Sequence, residues 1–149
     1  MKNMAVRRVE VILDTNIILR YLLRDLEDQY DIVRERLKRI QKVNGVVLVF
    51  GEVVAECIYI MEKLYKMTRT EMVSVLEPFL QTEVVVLEDK SVVLMALKMY
   101  EFTRLSYVDC LIIEKGRESG TEILTFDRKL FSKLNDPTKP GGKNEIASV

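Results

Sequence analysis

The sequence predicts an α/β fold with a central, mainly parallel sheet and helices on both faces. Apolar segments of strand length alternate along the chain with segments of helical period. One strand segment, Val46 to Phe50, is apolar at every position, the pattern of a strand covered on both sides. Asp14 and Asp127 each end an apolar strand segment. In parallel sheets, ligands bind beyond the carboxyl ends of the strands.

The elements follow in order. Val9 to Leu13 reads as the first strand, and Asp14 is placed to cap a helix over Thr15 to Arg24, whose apolar residues are Ile18, Leu19, Leu22 and Leu23. A second helix, Gln29 to Lys42, puts Tyr30, Val33, Leu37 and Ile40 on one face and stops at Asn44-Gly45. Val46 to Phe50 is the second strand, followed by a helix from Glu52 to Lys66. Thr68 and Glu71 have capping-box spacing before another helix, in which Pro78 predicts a kink or an early end. Val84 to Leu87 is the third strand. Ser91 to Phe102 is helical, with Val93, Ala96, Leu97 and Tyr100 inward. Ser106 starts a helix that stops at Gly120. Ile123 to Phe126 reads as a fourth strand, and Arg128 to Leu134 as a closing helix. Residues 1–135 read as a single domain. Residues 136–149, with Pro137, Pro140, Gly141 and Gly142, read as a flexible tail.

Composition narrows the function. The 149 residues suit one domain, and 48% hydrophobic content is enough for a core. Lys+Arg and Asp+Glu both number 23, so binding of nucleic acid by bulk charge is excluded and would need a local basic patch or metal ions. Two cysteines, Cys57 and Cys110, do not make a disulfide framework and suit a reducing cytoplasm. Each is expected to point into packing. No signal peptide or membrane span is expected, since no apolar run nears the ~20 residues a span needs.

The chain has no histidine, the commonest general base, which leaves carboxylates as its chemical equipment. Four stand out. Asp14 and Asp127 have a plain alternative role as helix caps. Glu56 has helical neighbours Val53, Tyr59 and Ile60, on or beside an apolar stripe, unless it reaches solvent or pairs with Lys63. Asp109 interrupts the apolar run Tyr107-Val108-Asp109-Cys110-Leu111, although a first-turn acid also suits the helix dipole. Two carboxylates ~4 Å apart repel by about 4 kcal/mol at an effective dielectric of 20, so a converging set calls for a cation. Mg²⁺ or Mn²⁺ fits oxygen donors, and zinc does not fit a chain without histidine.

Four segments carry a resemblance: Leu13-Asp14-Thr15-Asn16, Glu52-Val53-Val54-Ala55-Glu56, Ser106-Tyr107-Val108-Asp109-Cys110-Leu111-Ile112 and Leu124-Thr125-Phe126-Asp127-Arg128-Lys129-Leu130. In order, spacing and element type they resemble the motifs of PIN domains, and among these are similar to the VapC toxins of prokaryotic toxin–antitoxin pairs. The resemblance spans Val9 to Leu134. It implies a three-layer α/β/α sandwich and a Mg²⁺- or Mn²⁺-dependent endoribonuclease. It implies that Asp14, Asp109 and Asp127 ligate metal, that Glu56 positions the metal or its water, and that Asn16 and Thr125 orient the acids. It also implies a homodimer and a small antitoxin partner. Some relatives carry a further acid after the last aspartate. Here Arg128 and Lys129 follow, which puts a second metal site in doubt and makes these two cations, with Lys133, candidate RNA contacts. The cluster Arg34, Arg36, Lys38 and Arg39 reads as a solvated helix face. An RNA-processing nuclease outside a toxin–antitoxin pair, or a binding module without cleavage, uses the same scaffold. A phosphatase built on Asp14 would want a second Asp where Asn16 stands.

Overall fold

The computed structural model describes residues 6–134, which divide at Lys90/Ser91 into two compact units. The predicted tail lies outside the described residues.

The first unit holds a parallel sheet in the order β1-β2-β3, with β1 at Val9–Ile12, β2 at Val46–Val49 and β3 at Val85–Leu87. Helices α1 (Thr15–Leu23) and α2 (Glu27–Lys42) connect β1 to β2, and α3 (Gly51–Lys63) and α4 (Arg69–Gln81) connect β2 to β3. This is the α/β architecture with parallel strands that the alternation predicts. β2 is the central strand, and Val47 and Val49 are 0% exposed. Full burial of one such side chain stabilises by about 1.5–3 kcal/mol. Ile18 of α1, Met61 of α3 and Leu80 of α4 are buried with them.

Local signals set the element ends. At the α2–β2 turn Asn44 takes the left-handed conformation at φ 55°. Gly45 follows because a Cβ there would meet Glu10 Cγ at 2.6 Å and Ile40 Cγ2 at 3.1 Å. Thr68 and Glu71 form the predicted capping box of α4. Pro78 does not end α4 early. The helix runs to Gln81 because Pro78 sits in its last turn, where buried Phe79 and Leu80 hold the backbone down. Arg7, just before β1, donates to three backbone carbonyls: Glu83 O at 2.6 Å, Gly45 O at 3.2 Å and Asn44 O at 3.4 Å.

The second unit consists, among the described residues, of α5 (Lys90–Phe102, beginning at the boundary), α6 (Tyr107–Ser119) and α7 (Arg128–Leu134). Ser106 caps α6 by accepting from Asp109 N, and Gly120 ends it at φ 63°. Ala96, Leu97, Tyr100, Cys110 and Ile113 are buried, and the Tyr100 and Tyr107 rings meet edge-on at 6.2 Å. The expected fourth strand is not formed. Residues 121–127 are irregular, and Leu124 and Phe126 are exposed. A strand needs a ladder partner for its backbone groups, and among the described residues this unit holds no strand to offer one. Only Ile123 packs inward, against the space left by Gly116.

Candidate functional site

Asp14 stands two residues past β1, after Leu13. The ladder extends to Leu13, whose N–H donates to Leu48 O at 3.0 Å, so the strand delivers Asp14 to its carboxyl end. Asp14 is extended at φ −88°, ψ 173°, and its Oδ1 accepts from Ile17 N at 2.9 Å. The capping role is therefore real. It uses one carboxylate oxygen, and among the described residues no protein donor engages Oδ2. Asp14 is exposed, so Oδ2 is available to a ligand.

Thr15, the first residue of α1, is buried, and its hydroxyl donates to Glu56 Oε2 at 2.5 Å. Glu56 itself is exposed, and Lys63 pairs with Glu62 instead. Glu56 is thus not a carboxylate trapped in the core. It is a solvent-facing acid whose one oxygen is held by a buried hydroxyl. Cys57, next to Glu56 in sequence, is fully buried, and its thiol is pushed up to about 12 by burial first and then by the charges of Glu56 and Asp14. Both carboxylates therefore act on the same point in the first unit. Asn16 is exposed, and among the described residues its amide makes no hydrogen bond to these acids.

In the second unit Asp109 lies half-buried in the first turn of α6, with its N–H on Ser106 Oγ at 3.1 Å. No described donor engages its carboxylate. Asp127 is exposed and begins α7, its Oδ1 accepting from Lys129 N at 2.8 Å and Leu130 N at 3.2 Å. Thr125 Oγ1 accepts from Asp127 N at 3.0 Å, so Thr125 holds the backbone of this acid rather than its carboxylate. Arg128 and Lys129 are exposed beside it. Within either unit, among the described residues, no three acids or thiols gather at metal-binding distance.

The donor chemistry fits a hard divalent cation. The available atoms are carboxylate oxygens in solvent, with a hydroxyl steadying one of them, and the chain lacks histidine. A family model of the PIN domain matches residues 11–137. The chain belongs to the PIN domain family. Over 128 residues it is 28% identical to the VapC ribonuclease of Aquifex aeolicus (strain VF5), covering 85% of this chain and 93% of that protein.

The match takes in all four acids of this PIN domain. It also takes in Thr15, which sequence reasoning passed over for its neighbour Asn16. A signal was available: Thr15 is the polar residue between a capping acid and an apolar helix face, so its side chain had to find a partner inside. Both cysteines of this PIN domain are buried and neither is in a disulfide, as their positions beside the acids predict. Tyr107, two residues before Asp109, is 5% exposed and its hydroxyl has no described partner, and burial pushes that hydroxyl up. Arg34 and Lys38 flank Glu35 on the exposed face of α2, the solvated arrangement expected.

Proposed function

We propose that this PIN domain is a divalent-metal-dependent endoribonuclease and the toxin of a toxin–antitoxin pair. The observation that carries the reading is the likeness to a protein named VapC ribonuclease across 93% of its length. The Asp14–Thr15–Glu56 arrangement supports it, because it leaves carboxylate oxygens free in solvent while fixing where they point.

Asp14, Glu56, Asp109 and Asp127 would hold Mg²⁺ or Mn²⁺. When bound, the cation supplies charge neutralisation for a phosphodiester and lowers the cost of deprotonating a water. The chain's own groups do the rest. Capping fixes the Asp14 carboxylate at the end of β1. Thr15 holds Oε2 of Glu56, so that Oε1 accepts a hydrogen bond from the attacking water and orients it. Thr125 holds the backbone at Asp127, while Asn16, which makes no hydrogen bond to Asp14 among the described residues, would reach that acid only when the cation is bound. Arg128 and Lys129 attract the RNA backbone. In-line attack leaves a 5′-phosphate and a 3′-hydroxyl. A cytoplasmic setting is supported by two buried cysteines that form no disulfide. A homodimer and a small antitoxin partner follow from the motif resemblance.

The test is cleavage of cellular RNA by the purified full chain, with Mg²⁺, with Mn²⁺ and with EDTA, beside Asp14→Asn and Asp109→Asn. Cleavage that needs the metal and both acids supports the reading. Cleavage that survives EDTA and both substitutions removes it. Suppression of the activity by the product of an adjacent short gene separates a toxin from an RNA-processing nuclease.

A further inference from the structure

Helices α5, α6 and α7 line a cavity of about 470 Å³ lying wholly within the second unit. This is the size of a small-molecule pocket. Three cations line it, Lys98, Arg117 and Lys133, against one carboxylate, Glu114. Glu114 is 8% exposed and accepts from Arg117 at 2.8 Å, so its burial is compensated and Arg117 is anchored. Among the described residues no ion pair engages Lys98 or Lys133. Three cations less one carboxylate leave a local surplus of two positive charges, in a chain whose net charge is zero. Such a surplus in a concave site draws an anion.

The cavity also has an apolar side. Phe102 is 76% exposed and Met95 52% exposed, and both line it. An exposed ring beside unpaired lysines matches the two needs of a nucleotide: cations for the phosphate and an aromatic face for the base. An acidic peptide would use the cations and leave the ring in water.

We infer that this cavity binds a nucleotide unit of single-stranded RNA, its phosphate on Lys98, Lys133 and Arg117 and its base on Phe102. The inference rests on RNA being the substrate, and adds a place of strand capture whose lining includes none of the four acids. Strand capture here acts on affinity, so its loss raises KM and spares kcat.

The experiment measures binding of a labelled single-stranded oligoribonucleotide to the full chain carrying Asp14→Asn, by fluorescence anisotropy over a range of salt. Adding Lys98→Ala with Lys133→Ala should weaken binding about tenfold and reduce the slope of log affinity against log salt by about 1.4. Adding Phe102→Ala should weaken binding about tenfold and leave that slope unchanged. Should the alanine pair fail to fold, Lys98→Gln with Lys133→Gln repeats the measurement. Affinity and slope unmoved by all of these overturn the inference. So does complete competition by inorganic phosphate with Phe102→Ala silent, or loss of affinity for a glutamate-rich peptide and not for RNA. The two readings fail separately. RNA cut by the wild-type chain and bound indifferently to the lysines removes the cavity alone. RNA left uncut but bound through the lysines removes the nuclease alone.

Discussion

The hydroxyl of Thr15 donates a 2.5 Å hydrogen bond to Oε2 of Glu56 across 41 residues of sequence, joining the first residue of α1 to α3. A buried donor aimed at an exposed acid narrows the directions the acid can take. Groups that orient metal-binding acids are worth about 10–100-fold in affinity or activity. Thr15→Val should therefore lower RNA cleavage by about that range, and Thr15→Ser should restore most of it. Cleavage rates and metal titration of the two variants, with matched melting curves, decide the point. Equal activity in Thr15→Val and wild type would leave the bond a packing detail.

Asp14 has two duties, and two substitutions separate them. Asn caps helices as well as Asp does, so Asp14→Asn should change stability little. Asp14→Ala should cost about 1 kcal/mol in urea unfolding. Both should lose cleavage by about a hundredfold or more if Oδ2 serves a cation. An active Asp14→Asn would reduce this residue to a cap.

The capping box of α4 gives a pH dependence. The backbone N–H of Thr68, foremost, and then its hydroxyl hold the Glu71 carboxyl below its ordinary value of 4.5. A lowered carboxyl stabilises the fold above the unfolded value, and that contribution fades as pH falls through the folded one. Urea midpoints measured from neutral pH down through 4.5 and below should fall, and Glu71→Gln should flatten the part of that fall due to this residue. Identical pH profiles for the two chains would contradict the assignment.

Burial pushes the Cys57 thiol up to about 12, so at pH 8 it is protonated and unreactive. Cys110 is equally enclosed. Ellman's reagent should find almost no thiol in the native chain and two after unfolding in guanidinium. Rapid native labelling would show that α3 or α6 opens readily.

Two glycines predict opposite outcomes. A Cβ on Gly116 would meet Ile123 Cδ1 at 2.6 Å and Cγ1 at 2.9 Å, so Gly116→Ala should cost about 1–3 kcal/mol through displaced Ile123. Gly51, the first residue of α3, has nothing within 4 Å of that position, and Gly51→Ala should stabilise by about 0.4–1 kcal/mol. Urea unfolding of both variants measures the contrast.

Features that depend on neighbours in sequence were legible. The helix starts at Asp14, Thr68 and Ser106 and the stop at Gly120 are all where local caps place them. The parallel sheet was legible from β2, because only a strand covered on both faces reads Val46-Val47-Leu48-Val49. What failed depends on distant residues. Ile123 to Phe126 has a strand's composition, but a strand exists only where another offers its edge. Helical spacing puts Glu56 on or beside an apolar stripe, with reach to solvent or a pair with Lys63 as the alternative. It does face solvent, but the hydroxyl of Thr15 that holds it is not revealed by periodicity within α3. The cationic cavity was equally hidden, since its side chains come from three separate helices.

The guanidinium of Arg7 fastens the chain ahead of β1 to the turns that enter β2 and β3. Trimming by a protease past this arginine would unhook the leading edge of the sheet and leave three carbonyls to water. An affinity tag spliced upstream of Val6 avoids that loss, so the fusion junction for producing this protein belongs before the arginine and never after it.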